Sequence, residues 1–247
     1  MNVLRSILFM LYAIVTTICV APLIVVGSLI GTGACYNMAW LWRRCFMFGA
    51  RWILCIRSEI RGLENMPKET AVILSKHQSA WETVALQDLL PPGARASYVL
   101  KQELLRQPFI GWGLSAMRMI SIDRSAGKDA LAQVLEQGRD RLQKGFFVII
   151  FPEGTRVAPG QKRRYKPGGA YLAVHAGAKI VPVALNAGEL WPRNAFIKRA
   201  GTITISIGPA IDTAGLSEME ANQRAEDWIE GEMRRISPHR YRDAANA

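Results

Sequence analysis

The hydrophobic pattern changes character twice along the chain. From Ser6 to Tyr36 apolar residues run without a single charge. That run exceeds the roughly 20 residues that cross a bilayer core. It also exceeds the about 7–15 apolar residues of a cleaved signal peptide, and "TGAC" before Cys35 lacks the leucine of a lipoprotein cleavage site. A membrane-embedded helical element is therefore expected at the front. The next stretch, "MAWLWRRCFMFGARWILCI", stays apolar but is interrupted by Arg43, Arg44 and Arg51. Arg44 and Arg51 are seven apart and share a helical face. With Trp40, Trp42 and Trp52 they suit a helix in the headgroup layer, its arginines reaching for phosphates. The alternative is a core helix with a charged outer edge. Gly27, Gly31 and Gly33 offer a break between the two segments. Either the first spans the membrane once, or both form a hairpin dipping into one leaflet.

After "RSEIRGLENMPKET" short apolar runs alternate with helical periods. Residues 71–75, 96–101, 117–124, 146–151, 179–185 and 201–208 read as strands. Residues 79–90, 126–145, 168–178 and 217–236 read as helices, the first stopped by Pro91 and Pro92 and the second by Gly145. This alternation predicts an α/β domain: a layered, largely parallel sheet flanked by helices. The chain then divides into membrane-anchoring helices at 1–58, an α/β domain at 59–236 and a loose C-terminal tail at 237–247.

Half of the 247 residues are hydrophobic, which argues against broad disorder. The net charge of +11 calls for an anionic partner: nucleic acid, an anionic membrane or a phosphorylated substrate. Nucleic acid fits poorly, because the aromatics gather in the apolar front instead of interleaving with the basic run. The basic residues after the apolar run would place the main domain on the cytoplasmic side of a membrane. Cys19, Cys35, Cys45 and Cys55 all lie in that front; without zinc-ligand spacing they read as small apolar fillers with free thiols.

In open α/β sheets ligands bind beyond the carboxyl ends of strands, and three such ends carry reactive residues. "AVILS" runs into Lys76 and His77, "MISI" into Asp123 and Arg124, and "FFVIIF" into "PEGTR" (152–156), followed by the basic run "QKRRYKPGG". His77 and Glu82 would sit about 140° apart on one helix. They meet only if His77 lies in the loop before the helix and Glu82 in its first turn, with Ser79 as N-cap. A carboxylate on one imidazole nitrogen would then fix the tautomer and leave the other to take a proton from an alcohol. Ser79 and Glu82 also spell a capping box, in which Glu82 only caps the helix. In "PEGTR", Arg156 can clasp a phosphate bidentately and the Gly154–Thr155 backbone can donate N–H groups. Glu153 is expected to pair with an arginine or to hold Arg156; a salt-bridged surface turn is the plain alternative. The basic run reads as a solvated face or a headgroup contact. There is no G-x-S-x-G elbow, P-loop or G-x-G-x-x-G. His175 reads as packing and His239 as tail, so a histidine-rich metal site is not expected.

Taken together these blocks resemble the glycerolipid acyltransferase family, in particular the bacterial enzymes acting on 1-acylglycerol 3-phosphate. "HQSAWE" (77–82) resembles the family's histidine, four residues and acidic residue, with glutamate where aspartate is common. "LKQELLRQPFIGWGL" with Lys101, Pro108 and Gly111, running into "SIDRS" with Arg124, resembles its second block. "FPEGTR" (151–156) and "IVPVAL" (180–185) resemble the third and fourth, and the likeness spans roughly residues 60–210. The resemblance implies acyl transfer from a thioester to a lysophospholipid hydroxyl, with His77 as general base and Glu82 orienting it. It implies that Glu153, Gly154, Thr155 and Arg156 form the acceptor's phosphate-binding loop, assisted by Lys101 or Arg124. It implies no bound cofactor and no metal, with acyl-CoA or acyl-ACP as donor substrate and membrane lipid and acyl carrier protein as candidate partners. Two alternatives remain at this level: an acyltransferase for another lyso-lipid, such as lyso-ornithine lipid, and a non-catalytic basic membrane-binding protein.

Overall fold

A computed structural model describes residues 1–107, 110–123 and 126–241. Arg124 and Pro108 lie outside the described residues. The chain opens with α1 (Asn2–Ile30) and α2 (Thr32–Trp52), separated at Gly31. The two helices fold back antiparallel. The Tyr12 hydroxyl donates to the Cys45 carbonyl at 3.0 Å, and the Trp42 indole donates to Thr17 at 3.0 Å. A Cβ on Gly49 would lie 2.6 Å from the Tyr12 ring, so only glycine permits this approach.

The body is a seven-stranded sheet in the order β1-β7-β6-β2-β5-β3-β4. Its strands are β1 (Ile56–Arg61), β2 (Val72–Ser75), β3 (Arg95–Lys101), β4 (Ile120–Ile122), β5 (Phe146–Ile150), β6 (Ile180–Leu185) and β7 (Gly201–Ile207). Among these seven strands, β6 and β7 are the one pair that runs antiparallel. The central strands β2, β5 and β6 are buried along their whole length, as continuous apolar runs in a two-sided sheet should be. Alternate residues feed two cores. Ile73, Phe147 and Ile149 face the hairpin and α3 (Trp81–Ala85), meeting Phe9, Ala50, Leu54 and Trp81. Val72, Leu74 and Val148 face α5 (Lys128–Gln143), α6 (Gly168–Ala176) and α7 (Glu218–Ile236), meeting Leu172, Ala225 and Ile229.

The hairpin lies along the body. Near its start, Phe9 stacks edge-on against Trp191 and Ser6 accepts from the Lys198 N–H. Near its turn, Thr32 accepts from Arg118, and Cys35 contacts the Gly113 carbonyl in α4 (Ile110–Ala116). The outer surface of α1 is apolar: Leu4, Leu8, Leu11, Val15, Ile18 and Val26 are exposed. Helix α1 is long and apolar enough to cross a membrane. Helix α2 has the geometry of a core-facing helix with a charged outer edge, burying Cys35, Gly49 and Ala50 while exposing Trp40, Arg44, Phe48, Arg51 and Trp52. Arg43 departs from the headgroup reading, turning inward to Asp88 at 3.1 Å.

Several sequence expectations need correcting. Strand β1 was not anticipated, because only Ile56 of its six residues is buried and an exposed edge strand has no apolar alternation. The helix expected over 79–90 is α over Trp81–Ala85 and 3₁₀ over Leu86–Leu89, ending where Pro91 forces Leu90 extended. Ala80, not Ser79, is its N-cap. His175 is not packing: it is exposed and meets Glu218 at 2.8 Å. The start of the tail is docked, with Ser237 buried on Glu189 at 2.6 Å and His239 on the same carboxylate at 2.9 Å.

Candidate active site

Parallel neighbours β2 and β5 end side by side, in register from Val72 opposite Val148 to Leu74 opposite Ile150. Their following loops therefore converge. His77 leaves β2 and Glu82 enters the first turn of α3. Glu82 Oε1 lies 2.9 Å from His77 Nδ1. The same oxygen accepts from the backbone N–H groups of Gln78 (2.8 Å) and Ser79 (2.6 Å). One oxygen thus holds both the imidazole and the backbone of the preceding loop, without the expected Ser79 capping box. An acceptor already taking two N–H donors makes His77 Nδ1 the third donor, leaving Nε2 with a lone pair. The longer arm of glutamate accommodates this geometry.

The second loop fixes the rest of His77. Its N–H donates to Glu153 Oε2 at 2.8 Å, its carbonyl accepts from Val157 N–H at 2.8 Å, and its ring stacks on Phe151 at 3.9 Å. Gly154 makes the turn with φ +69°, a conformation that glycine adopts without strain.

Glu153 departs from expectation. It is fully buried and pairs with Lys76 at 2.7 Å, not with an arginine. Lys76, also buried, has a second partner in Glu230 of α7 at 2.7 Å. Glu230 in turn accepts from the Tyr165 hydroxyl at 2.9 Å. Burial pushes the Glu153 carboxyl up to about 7, against the opposing pull of Lys76. Burial draws the Lys76 ammonium down, but Glu153 and Glu230 outweigh it and hold it charged. Sequence spacing gave no signal for this cluster, since Lys76 and Glu230 are 154 residues apart.

His77 opens into a cavity of about 1040 Å³. Gly154, Thr155, Arg156 and Lys101 line the same cavity, together with Lys166 and Arg193. The sequence does not mark the last two as site residues: Lys166 belongs to a basic run that reads as a solvated face, and Arg193 lies outside every block. The basic run divides, Lys162 pairing with Glu226 at 2.8 Å while Lys166 faces the cavity. The far wall is apolar, with Ala21 and Ile24 of α1, Leu114 of α4 and Val134 of α5. One cavity thus joins the His77 imidazole, a set of cations and apolar side chains. Among the described residues no three His, Cys, Asp or Glu side chains are grouped to hold a metal ion.

A profile of the Acyltransferase family matches residues 57–186, more than half of the 247-residue chain. The chain belongs to the acyltransferase family. Within it, the chain is 47% identical over 204 residues to "1-acyl-sn-glycerol-3-phosphate acyltransferase" of Pseudomonas aeruginosa, covering 81% of this chain and 78% of that one. It is 32% identical to the protein of the same name from Limnanthes alba, covering 66% and 57%. The crystal structure of the 1-acyl-sn-glycerophosphate (LPA) acyltransferase, PlsC, from Thermotoga maritima is similar with a TM-score of 0.72 at 21% identity, covering 96% and 98%. At that identity the likeness concerns the fold. The acyltransferase match contains both loops of the site, from His77 to Arg156.

Proposed function

We propose that this acyltransferase moves a fatty acyl group from a thioester to the 2-hydroxyl of 1-acyl-sn-glycerol 3-phosphate, giving phosphatidic acid. The observation carrying this reading is the His77–Glu82 pair opening into the same cavity as Arg156. His77 Nε2 takes the hydroxyl proton as the alcohol oxygen attacks the thioester carbonyl, and Glu82 stabilises the imidazolium that forms. Collapse of the tetrahedral adduct breaks the C–S bond, and the proton on His77 passes to the leaving thiolate. No acyl-enzyme forms. Arg156, with the Gly154–Thr155 backbone, binds the acceptor's phosphate, and Lys101, Lys166 and Arg193 add positive charge. Glu153 acts by holding His77 and Lys76.

The exposed apolar side of α1 seats the protein in one leaflet of the inner membrane, with the α/β body cytoplasmic and the cavity level with the headgroups. The acyl donor is a thioester of coenzyme A or of acyl carrier protein.

The test is acyl transfer by purified protein in lipid, using a labelled acyl thioester and 1-oleoylglycerol 3-phosphate beside lyso-ornithine lipid. Transfer to the phosphate acceptor, lost in His77→Ala, is expected. Preference for lyso-ornithine lipid would overturn the acceptor assignment, and full activity in His77→Ala would overturn the mechanism.

A further inference from the structure

We propose a second lipid site: a groove at the base of α2 that holds the headgroup of an anionic diacyl phospholipid, separate from the cavity of His77. The groove encloses about 560 Å³, and its lining includes Arg44, Phe48, Arg51, Ile56, Arg57 and Trp81. Helix α2 divides it from the reaction cavity: Trp42 and Arg43 line one side, Arg44 and Phe48 the other.

Charge argues for an anion. Arg44, Arg51 and Arg57 are all exposed, and none has a carboxylate partner among the described residues. Arg44 lies over the Trp40 ring and Arg51 over the Trp52 ring, each 5.6 Å from the centroid. Stacking of this kind orients a guanidinium while leaving its N–H edge free for a phosphate. The neighbouring Arg43 shows the contrast, spending its charge on Asp88.

The surroundings argue for a lipid over a free anion. Phe48 and Trp52 are 57% and 64% exposed beside the arginines. Tyr12 reaches the groove from α1, where the exposed Leu8, Leu11 and Val15 flank it. An acyl chain leaving the headgroup therefore continues onto apolar helix surface. The groove offers no carboxylate or imidazole, so it holds the lipid without turning it over. The buried Trp81 forms the floor of the groove and immediately precedes Glu82 in α3.

Binding is read without turnover, so the test does not depend on the reaction proposed above. The full chain in neutral detergent would be titrated with phosphatidylglycerol and retention followed by native mass spectrometry. Loss of about fivefold per arginine is expected, roughly 100-fold for R44Q/R51Q/R57Q. The all-lysine triple variant should recover part of the binding, and the loss caused by R44Q/R51Q/R57Q should be the same with or without Arg156→Ala. Phosphatidylcholine and glycerol 3-phosphate should each bind at least about tenfold more weakly. Equal retention by wild type and the glutamine variant would overturn the site. Absence of that loss in the Arg156→Ala background would move the site to the reaction cavity and also overturn it. Equal binding of glycerol 3-phosphate would reduce it to an anion patch and overturn the lipid assignment.

Discussion

The ammonium of Lys76 sits 2.7 Å from Glu230, at the far end of the chain, and 2.7 Å from Glu153, which accepts the His77 N–H. One buried cation thus faces two buried carboxylates, and the two kinds of substitution should behave differently. Lys76→Met leaves two carboxylates facing each other and should lose about 3–5 kcal/mol of stability. Glu230→Gln leaves a balanced Lys76–Glu153 pair and should lose clearly less. Denaturant midpoints of the two variants check the order.

The Glu153 carboxyl, raised by burial from its ordinary 4.5 to about 7, sets a pH dependence of unusual sign. Between those values the folded state binds more protons than the unfolded one, so this residue's contribution makes stability fall as pH rises from about 4.5 to about 7. Melting temperatures across that window should decline more steeply in wild type than in Glu153→Gln. In Glu230→Gln the decline should end at a lower pH and be smaller, because the loss of a neighbouring negative charge lowers only the folded-state value.

At the reaction centre, His77→Ala should abolish transfer. Under the proposed mechanism, Glu82→Gln keeps an acceptor for Gln78 and Ser79 but removes the charge that would stabilise an imidazolium, so kcat should drop about 10²-fold or more with little change in melting temperature. Glu82→Ala orphans both backbone N–H groups as well and should cost a further ~1–3 kcal/mol of stability. Steady-state kinetics and thermal melts on the same preparations separate the two effects.

Arg156→Ala should raise KM for the phosphate-bearing acceptor by roughly 10- to 100-fold, the worth of a charge-assisted pair. KM for the acyl thioester should move little. A comparable rise in thioester KM would place Arg156 on the donor.

The sequence carried most of the central sheet, because β2, β5 and β6 are buried on both faces and read as uninterrupted apolar runs. It also brought His77 and Glu82 together, since their contact depends on a local loop-to-helix step. What it could not carry was anything set by register between distant segments. Lys76 and Glu230 meet only because α7 packs behind β2 and β6. Lys166 and Lys162 look alike in the basic run, yet one faces the cavity and the other pairs with Glu226. Glu153 next to arginines in sequence suggested an arginine partner, whereas the end of β5 delivers it to the end of β2.

Phe9, Ala50 and Leu54 share one core with Ile73, Ile149 and Trp81, and Ala21 and Ile24 wall the cavity of His77. The hairpin is therefore not a tether that happens to carry an enzyme. Cutting it away would uncover the part of that face which α3 does not reach and open the cavity of His77 along a side. A water-soluble version of this protein cannot be had by truncation; it would require redesigning the outward surface of α1 while leaving its inward stripe alone.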